Sequence, residues 1–376
     1  MKFTFTTLFL TVTFLFVNCS KSDSSKSTSI IDYAALTSLS VTTELEIGES
    51  EHFLPGDLSS LLVSTTGDIV VADRGNVSIE QFDADGNYKG RVAFEGEGPG
   101  EISGYINLRN LGNDTLLVNS TNGTISKFGA NSDGFFTFVS DEKLDQNGSS
   151  FSVLSSLESD KYLASKRLVI RDITRYLQNK DDYNVTTYGI INSDGTVEND
   201  SLFSLKNSTP HIVQSNEGGI SVNTVPFRFN DKISVFKDGT YLIARIDSGF
   251  AKLYNHNHLL KKTIPLHIKE RKLTDSEIEY ALQNIDDSIK NDIKKRIGEV
   301  KPPFTSLWTS SNKIWLLTDS NEFGKEIVVL DLAGNALGKL SLSEYDRIHY
   351  VEGNSIYTIH KSPKIGDTIR KYNIGF

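Results

Sequence analysis

The segment from residue 58 to 94, LSSLLVSTTGDIVVADRGNVSIEQFDADGNYKGRVAF, sets short apolar runs between clusters of Gly, Asn and Asp. Runs of about four to eight residues rich in β-branched and aromatic side chains, bounded by such clusters, predict strands rather than helices. Four follow from the spacing: SSLLVS, DIVVAD, VSIEQFD and NYKGRVAF. Gly67 and Gly86 stand in the connectors TTG and ADG, where a tight turn calls for backbone conformations that a β-carbon opposes. The unit predicts a four-stranded antiparallel meander.

The same order returns along the chain. It restarts at Tyr105 and near Phe151, Lys232 and Phe304, with third strands ending in turns such as INSDGTV, YNHNHLL and LDLAGNAL. The last unit, YDRIHYVEGNSIYTIHKSPKIGDTIRKYNIG, holds only three strands. Its missing partner is the alternating run SLSVTTELEIG, residues 38 to 48. A terminal strand that completes the last blade closes a ring and removes an exposed sheet edge. Three insertions, 166 to 185, 205 to 231 and 266 to 302, interrupt the pattern. Without them residues 38 to 376 supply about 42 positions for each of six units, within the roughly 40 to 45 of a four-stranded propeller blade, whereas seven units leave about 36. The expectation is an all-β, six-bladed β-propeller of four-stranded antiparallel blades, the N-terminal strand completing the last blade.

One insertion breaks the β pattern. LTDSEIEYALQNIDDSIKNDIKKRI, residues 273 to 297, carries a capping box at Thr274 and Glu277, and Ile278, Leu282, Ile285, Ile289, Ile293 and Ile297 fall on one face. These predict a single helix between blades four and five, either packed on the propeller or serving as a lid.

In a meander of this kind, the links between second and third strands share one face with the blade-to-blade crossovers. All three insertions fall on that face, which is where the pattern places a ligand site. The ends of the second strands bring Arg74, Lys166, Arg167, Arg245, His360 and Lys361 there, and Arg171, Arg175 and Arg228 lie in or beside the insertions. A cationic rim of this composition suits a carboxylated or sulfated ligand. The competing expectation is that each cation is held by a neighbouring acid, as Arg74 by Asp73. Glu97 and Glu101, in the crossover FEGEGPGE, are further candidates at the channel mouth. That crossover precedes a strand rather than a helix, so its glycines read as a connector and not a phosphate cradle.

Composition narrows the chemistry. The chain carries 39 Lys and Arg against 48 Asp and Glu, a net charge of −9, which argues against a nucleic-acid surface. The single cysteine, Cys19, excludes internal disulfides and thiolate metal sites. His256 and His258 have strand spacing for a metal but fall in a turn without a third ligand, so no metal or cofactor is expected. Gly-x-Ser-x-Gly, His-Glu-x-x-His and a phosphate-loop Gly-Lys-Ser/Thr are all absent from the sequence. At the N-terminus, Lys2 precedes an uncharged run from Phe3 to Val17, too short to span a bilayer and suited to a secretory signal over residues 1 to 18. The polar stretch SKSDSSKSTS that follows Cys19 reads as a flexible tether, and residues 19 to 37 as a whole link the anchor to the propeller.

Two resemblances attach to these residues. The thiol directly after the apolar run resembles the lipobox of bacterial lipoproteins, with FVNC departing from the usual Leu and Gly or Ala; it implies acylation at Cys19. DIVVADRGNVSIEQFDADGNYKGRVAFEGEGPGE is similar to the NHL-type propeller pattern. The chain from 38 to 376 resembles the six-bladed β-propeller lipoproteins of Bacteroidota, whose G.GPGE and Pro-aromatic, Trp-containing segments correspond to GEGPGE and KPPFTSLWTSSNKIWLL. That resemblance implies an envelope lipoprotein on the outer membrane, acting as a non-catalytic binding or scaffold propeller for a glycan, peptide or envelope protein. Its alternative is a lyase or metal-dependent lactonase with a site at the central channel. The innermost strands SSLLVS, NLRNLG, FSVLSS, ISVFKD, FTSLWT and DRIHYV are poor in metal ligands and favour the first.

Overall fold

The computed structural model describes residues 30–104, 106–110, 114–119, 124–143, 151–158, 161–166, 183–214 and 220–376. Cys19, the stretch to residue 29, and Arg167, Arg171 and Arg175 lie outside them.

Six four-stranded antiparallel sheets follow one another in the predicted order. Their first strands are Leu58–Val63, Asn107–Asn110, Phe151–Glu158, Lys232–Val235, Ser306–Ser310 and Asp346–Glu352, and these meet around a central channel. Among the described residues no helix is long and apolar enough to cross a membrane.

The core is divided into seams between blades. Val70, Ala72 and Ile79 of blade one pack with Leu108, Leu116 and Phe128 of blade two, while Ile69, Val71 and Phe82 pack with Tyr357, Ile359 and Ile369 of blade six. Alternate residues of one strand therefore enter opposite seams. Ile69–Asp73 is buried at every position, so IVVAD reads as an unbroken apolar run instead of alternating. Comparable seams join the remaining neighbours around the ring.

Ser40–Ile47 supplies the fourth strand of blade six, pairing antiparallel with Gly366–Gly375 from Ser40 opposite Gly375 to Ile47 opposite Ile369. Polar contacts reinforce this closure. Lys361 of blade six reaches Asp57 at 2.5 Å and Asp367 at 2.9 Å, and Asp367 accepts the N–H of Leu58 in blade one at 2.8 Å. Nearby, Asp73 has no solvent exposure and accepts from the N–H groups of Gly56, Asp57, Gly75 and Asn76 at 2.7 to 3.1 Å. Glycine is required at 75, since a β-carbon there would sit 2.7 Å from the Asp57 nitrogen.

The insertion between blades four and five differs from the single helix expected. It forms two helices, α1 (Asp275–Leu282) and α2 (Asp287–Lys294). Asp286 ends the first path by capping the second, accepting from the Ser288 N–H at 2.8 Å; Asn, Asp and Ser favour such caps over helix interiors. The apolar face survives the break: all six predicted positions join one cluster around Val225, with Leu282 and Ile293 fully buried. Val225 belongs to the preceding insertion, which also forms a hairpin of His211–Gln214 and Ile220–Asn223. The two insertions thus cover each other, and the short ladder Arg271–Lys272 with Val300–Lys301 fastens the base of the helical one.

Removing residues 30 to 48 is expected to expose the Gly366–Gly375 edge and the seams beside it. The truncated chain should self-associate on size-exclusion chromatography and unfold over a broader denaturant range; a monomer with unchanged, sharp unfolding would count against ring closure.

Candidate functional site

The predicted cationic rim is built into the blade ends. In blades one, four and six an acid at the start of the innermost strand holds a base at the end of the second strand. Arg74 Nε donates to Asp57 at 2.8 Å, Arg245 to Asp231 at 3.1 Å, and His360 Nδ1 lies 3.0 Å from Asp346. Asp57, not the adjacent Asp73, is therefore the partner of Arg74, because the Asp73 carboxylate is taken up by backbone N–H groups. Asp231 also accepts from the Lys206 N–H at 2.9 Å, and Asp346 from the Tyr372 hydroxyl at 3.0 Å. Arg74 and Arg245 remain about half exposed, whereas His360 is buried. Lys166 is exposed at the end of its strand, and Arg228 donates to the Arg296 carbonyl within the insertions at 2.9 Å.

Within FEGEGPGE, Glu101 folds back over its own loop and accepts the Gly98 N–H at 2.7 Å. A β-carbon at residue 96 would come within 1.9 Å of the Glu101 carboxylate, so glycine there admits the carboxylate into the turn. Glu97 is exposed. On the opposite face, His258 takes a positive φ of 61° in its turn and its Nδ1 lies 3.0 Å from the Tyr241 hydroxyl. Among the described residues, no three His, Cys, Asp or Glu side chains converge as a metal ion would require.

A cleft of about 520 Å³ opens among the crossovers between blades four and five. Its walls come from stretches far apart in sequence, among them residues 32–34, the link at Ile246 and Gly249, the crossover from Leu266 to Arg271, and Val300 to Pro303, with Phe229, Thr318, Glu326 and Lys339 completing the lining. The N-terminal stretch is pinned across it. Ile31 is buried against blades four and five, its N–H donates to the His267 carbonyl at 2.7 Å, and the Tyr33 hydroxyl donates to the Pro303 carbonyl at 3.0 Å. Burial raises the Tyr33 phenol above its ordinary range, which keeps that donor protonated.

The cleft has an apolar floor, including Phe229, Leu266 and Pro303, beneath charged side chains that are mostly paired. Lys269 meets Asp32 at 2.7 Å and Lys339 meets Glu326 at 3.1 Å. Lys301 is almost fully buried between Glu277, at 2.6 Å, and Asp319, while Arg271 contacts Asp319 from the solvent side at 2.9 Å. Glu277 is also the capping-box residue of α1, so one carboxylate starts the helix and fastens it to blade five. Burial alone would raise Asp319 and Glu277. Hydrogen bonds, from Lys301 and Arg271 to Asp319 and from Lys301 and Thr274 to Glu277, outweigh burial and hold both below their ordinary values of 3.8 and 4.5.

Sequence reasoning chose this face and missed this cluster. Lys301 and Asp319 stand 18 residues apart, and only the pairing of distant strands joins them. The one local signal was a charged residue directly before the two prolines of KPPF, a position that leaves a lysine little room to reach solvent if the segment packs.

The depressed carboxylates set a direction for pH. Their stabilisation is complete above the ordinary values of 3.8 and 4.5 and is lost as pH falls below them, through the lower folded values. Protection factors of the amides in α1 and α2, taken relative to the intrinsic exchange rate at each pH, should therefore fall on acidification below about pH 4. Lys301→Met removes the buried partner shared by two carboxylates, leaving Arg271 on Asp319 and Thr274 on Glu277; losing one partner of a buried pair costs about 3 kcal/mol as an upper figure here. In that variant the two helices should exchange fast already at pH 7 while the second strands of the blades stay protected; equal protection in both proteins would refute the latch.

No family model matches the sequence, and no curated protein matches it. Comparison with solved structures gives matches of low identity. A protein from Bacteroides fragilis described as exported is 9% identical over 93% of this chain and 100% of its own, with a TM-score of 0.48. A member of the DUF4221 family from Bacteroides vulgatus is 11% identical over 90% of this chain and 98% of its own, also at 0.48. Catalytically inactive virginiamycin B lyase from Staphylococcus aureus with quinupristin is 9% identical over 89% of this chain and 99% of its own, at 0.46.

Proposed function

We propose that this chain is a cell-envelope lipoprotein of the NHL-like six-bladed type, held by acylated Cys19 on the outer membrane, that binds a peptide or glycan of an envelope partner without transforming it. The observation that carries the binding reading is the cleft between blades four and five. It joins an apolar floor to a rim of paired charges, and no histidine, cysteine or serine lines it. Such a lining buries an apolar surface and orients polar groups.

The rest of the face fits the same role. Arg74 and Arg245 are half exposed, and a guanidinium carries five N–H donors, more than one carboxylate accepts, so both suit secondary contacts to an acidic group of the ligand. Of the other sequence candidates, Glu97 is exposed on this face, Glu101, His360 and Lys361 are engaged within the fold, and Arg167 and Arg171 lie outside the described residues. No cofactor is needed for binding of this kind. Anchoring rests on sequence: the run from Phe3 to Val17 and the thiol after it, followed by Ser20 and Lys21 rather than an aspartate that would favour inner-membrane retention. Two or more acyl chains, at about 0.8 kcal/mol per buried methylene, hold a protein stably at a bilayer.

Two experiments bear on this reading. Cys19→Ser should move the protein from the membrane to the soluble fraction of cells, and continued membrane association would contradict lipidation. On peptide and glycan arrays, Ile268→Glu combined with Lys269→Glu should abolish the signals of the parent protein while the variant still unfolds cooperatively; retention of every signal would exclude the cleft.

A further inference from the structure

The face opposite the insertions carries a second cavity. It lies in the central channel, has a volume of about 300 Å³, and takes its walls from the innermost strands of all six blades. Three basic side chains, Arg109, Lys237 and His349, line it, and no Asp or Glu does among the described residues.

Its geometry is polar and shaped. Trp308 of blade five forms part of the wall, and beside it the hydroxyls of Ser234 and Thr309 lie 2.9 Å apart. Lys237 stands at the rim, 2.9 Å from Glu352 and above the Tyr350 ring at 5.6 Å. Glu352 is also bonded by the Tyr350 hydroxyl at 2.7 Å, so the lysine is held in place. Arg109 Nε points along the strand of blade three, 3.4 Å from the Val153 carbonyl.

His349 sits where the pairing of its strand slips, between Ile348 opposite Thr358 and Tyr350 opposite Tyr357. A bulge of this type re-aims a side chain. Its Nε2 is covered and has no hydrogen-bond partner. A buried polar atom left unpaired is destabilising, and native structures retain few of them. Burial, together with Arg347 and Lys361, lowers the imidazole to about 4, so at neutral pH it is an uncharged group; Lys237 is paired with Glu352, which leaves the Arg109 guanidinium as the cation lining the cavity wall.

We propose that this channel cavity is a binding site for a small organic carboxylate with a ring-shaped body, its carboxylate met by Arg109 and its ring set against Trp308. The volume is at the small end of ligand pockets, about 300 to 1,000 Å³, which fits a group of one ring and its substituents. The site is distinct from the cleft between blades four and five and does not depend on that reading.

Trp308 provides the signal for the test, since the other tryptophan, Trp315, is fully buried. The full chain carrying Cys19→Ser is titrated with benzoate and with D-glucuronate, and in parallel with their neutral counterparts benzamide and D-glucose. A saturable fluorescence change is expected with at least one carboxylate, with an affinity at least about tenfold above its neutral counterpart, the equivalent of about 1.4 kcal/mol. Arg109→Gln should weaken that binding about tenfold or more, and Trp308→Phe should remove the signal while calorimetry still detects binding. Should Arg109→Gln not fold, Arg109→Lys keeps the charge without the planar fork and should show a smaller loss. Equal affinity for the neutral counterpart, no saturable change with either carboxylate, or unchanged affinity in a folded Arg109 variant would each overturn the proposal.

Discussion

Every blade of this protein is apolar on both faces, and that fact governs the rest of the structure. A strand such as Ile69–Asp73 sends Ile69 and Val71 into one seam and Val70 and Ala72 into the next, so no sheet can stand alone without exposing a row of aliphatic side chains. The ring must close. Closure falls to the N-terminal strand, which completes blade six, and to Lys361, Asp57 and Asp367, which join blade six to blade one across the gap between chain ends. Hydrophobic burial supplies the drive, and the short polar contacts fix the register in which it occurs.

Because the blades are used up in packing one another, variety is left to the links and to the channel. The links between second and third strands and the crossovers gather on one face, and there two insertions pack around Val225. The same face holds the cleft, whose floor is assembled only when the N-terminal stretch lies against the crossover at Leu266 to Lys269. Lys301 connects this periphery to blade five, and one of its two carboxylate partners, Glu277, also organises the start of α1. The channel cavity on the other face depends on the ring differently, since all six innermost strands contribute to it.

Much of the fold was legible because it repeats. The spacing of apolar runs and Asp-Gly turns identified six blades, their strand order and the borrowed strand, since each follows from local chemistry renewed every forty or so positions. The helical insertion was half legible: the apolar face of Ile278 to Ile297 was readable, but the cap at Asp286 turned one helix into two. Polar partners were the least legible. Arg74 has Asp73 beside it in sequence and yet bonds Asp57, because strand pairing brings the start of the first strand to the end of the second and the backbone claims Asp73. The same holds for Arg245 with Asp231, for Lys301 with Asp319, and for Arg109 with His349, which share a cavity only because the ring closes.

The central claim is that the seams couple all six blades into one closed ring, and amide hydrogen exchange read by mass spectrometry across residues 38 to 376 tests it most directly. Closure predicts that the second strands of the six blades lose protection together at a common denaturant concentration, including Lys161–Lys166 and Ser355–Ser362 on opposite sides of the ring. Blades that open one after another, each at its own concentration, would contradict it.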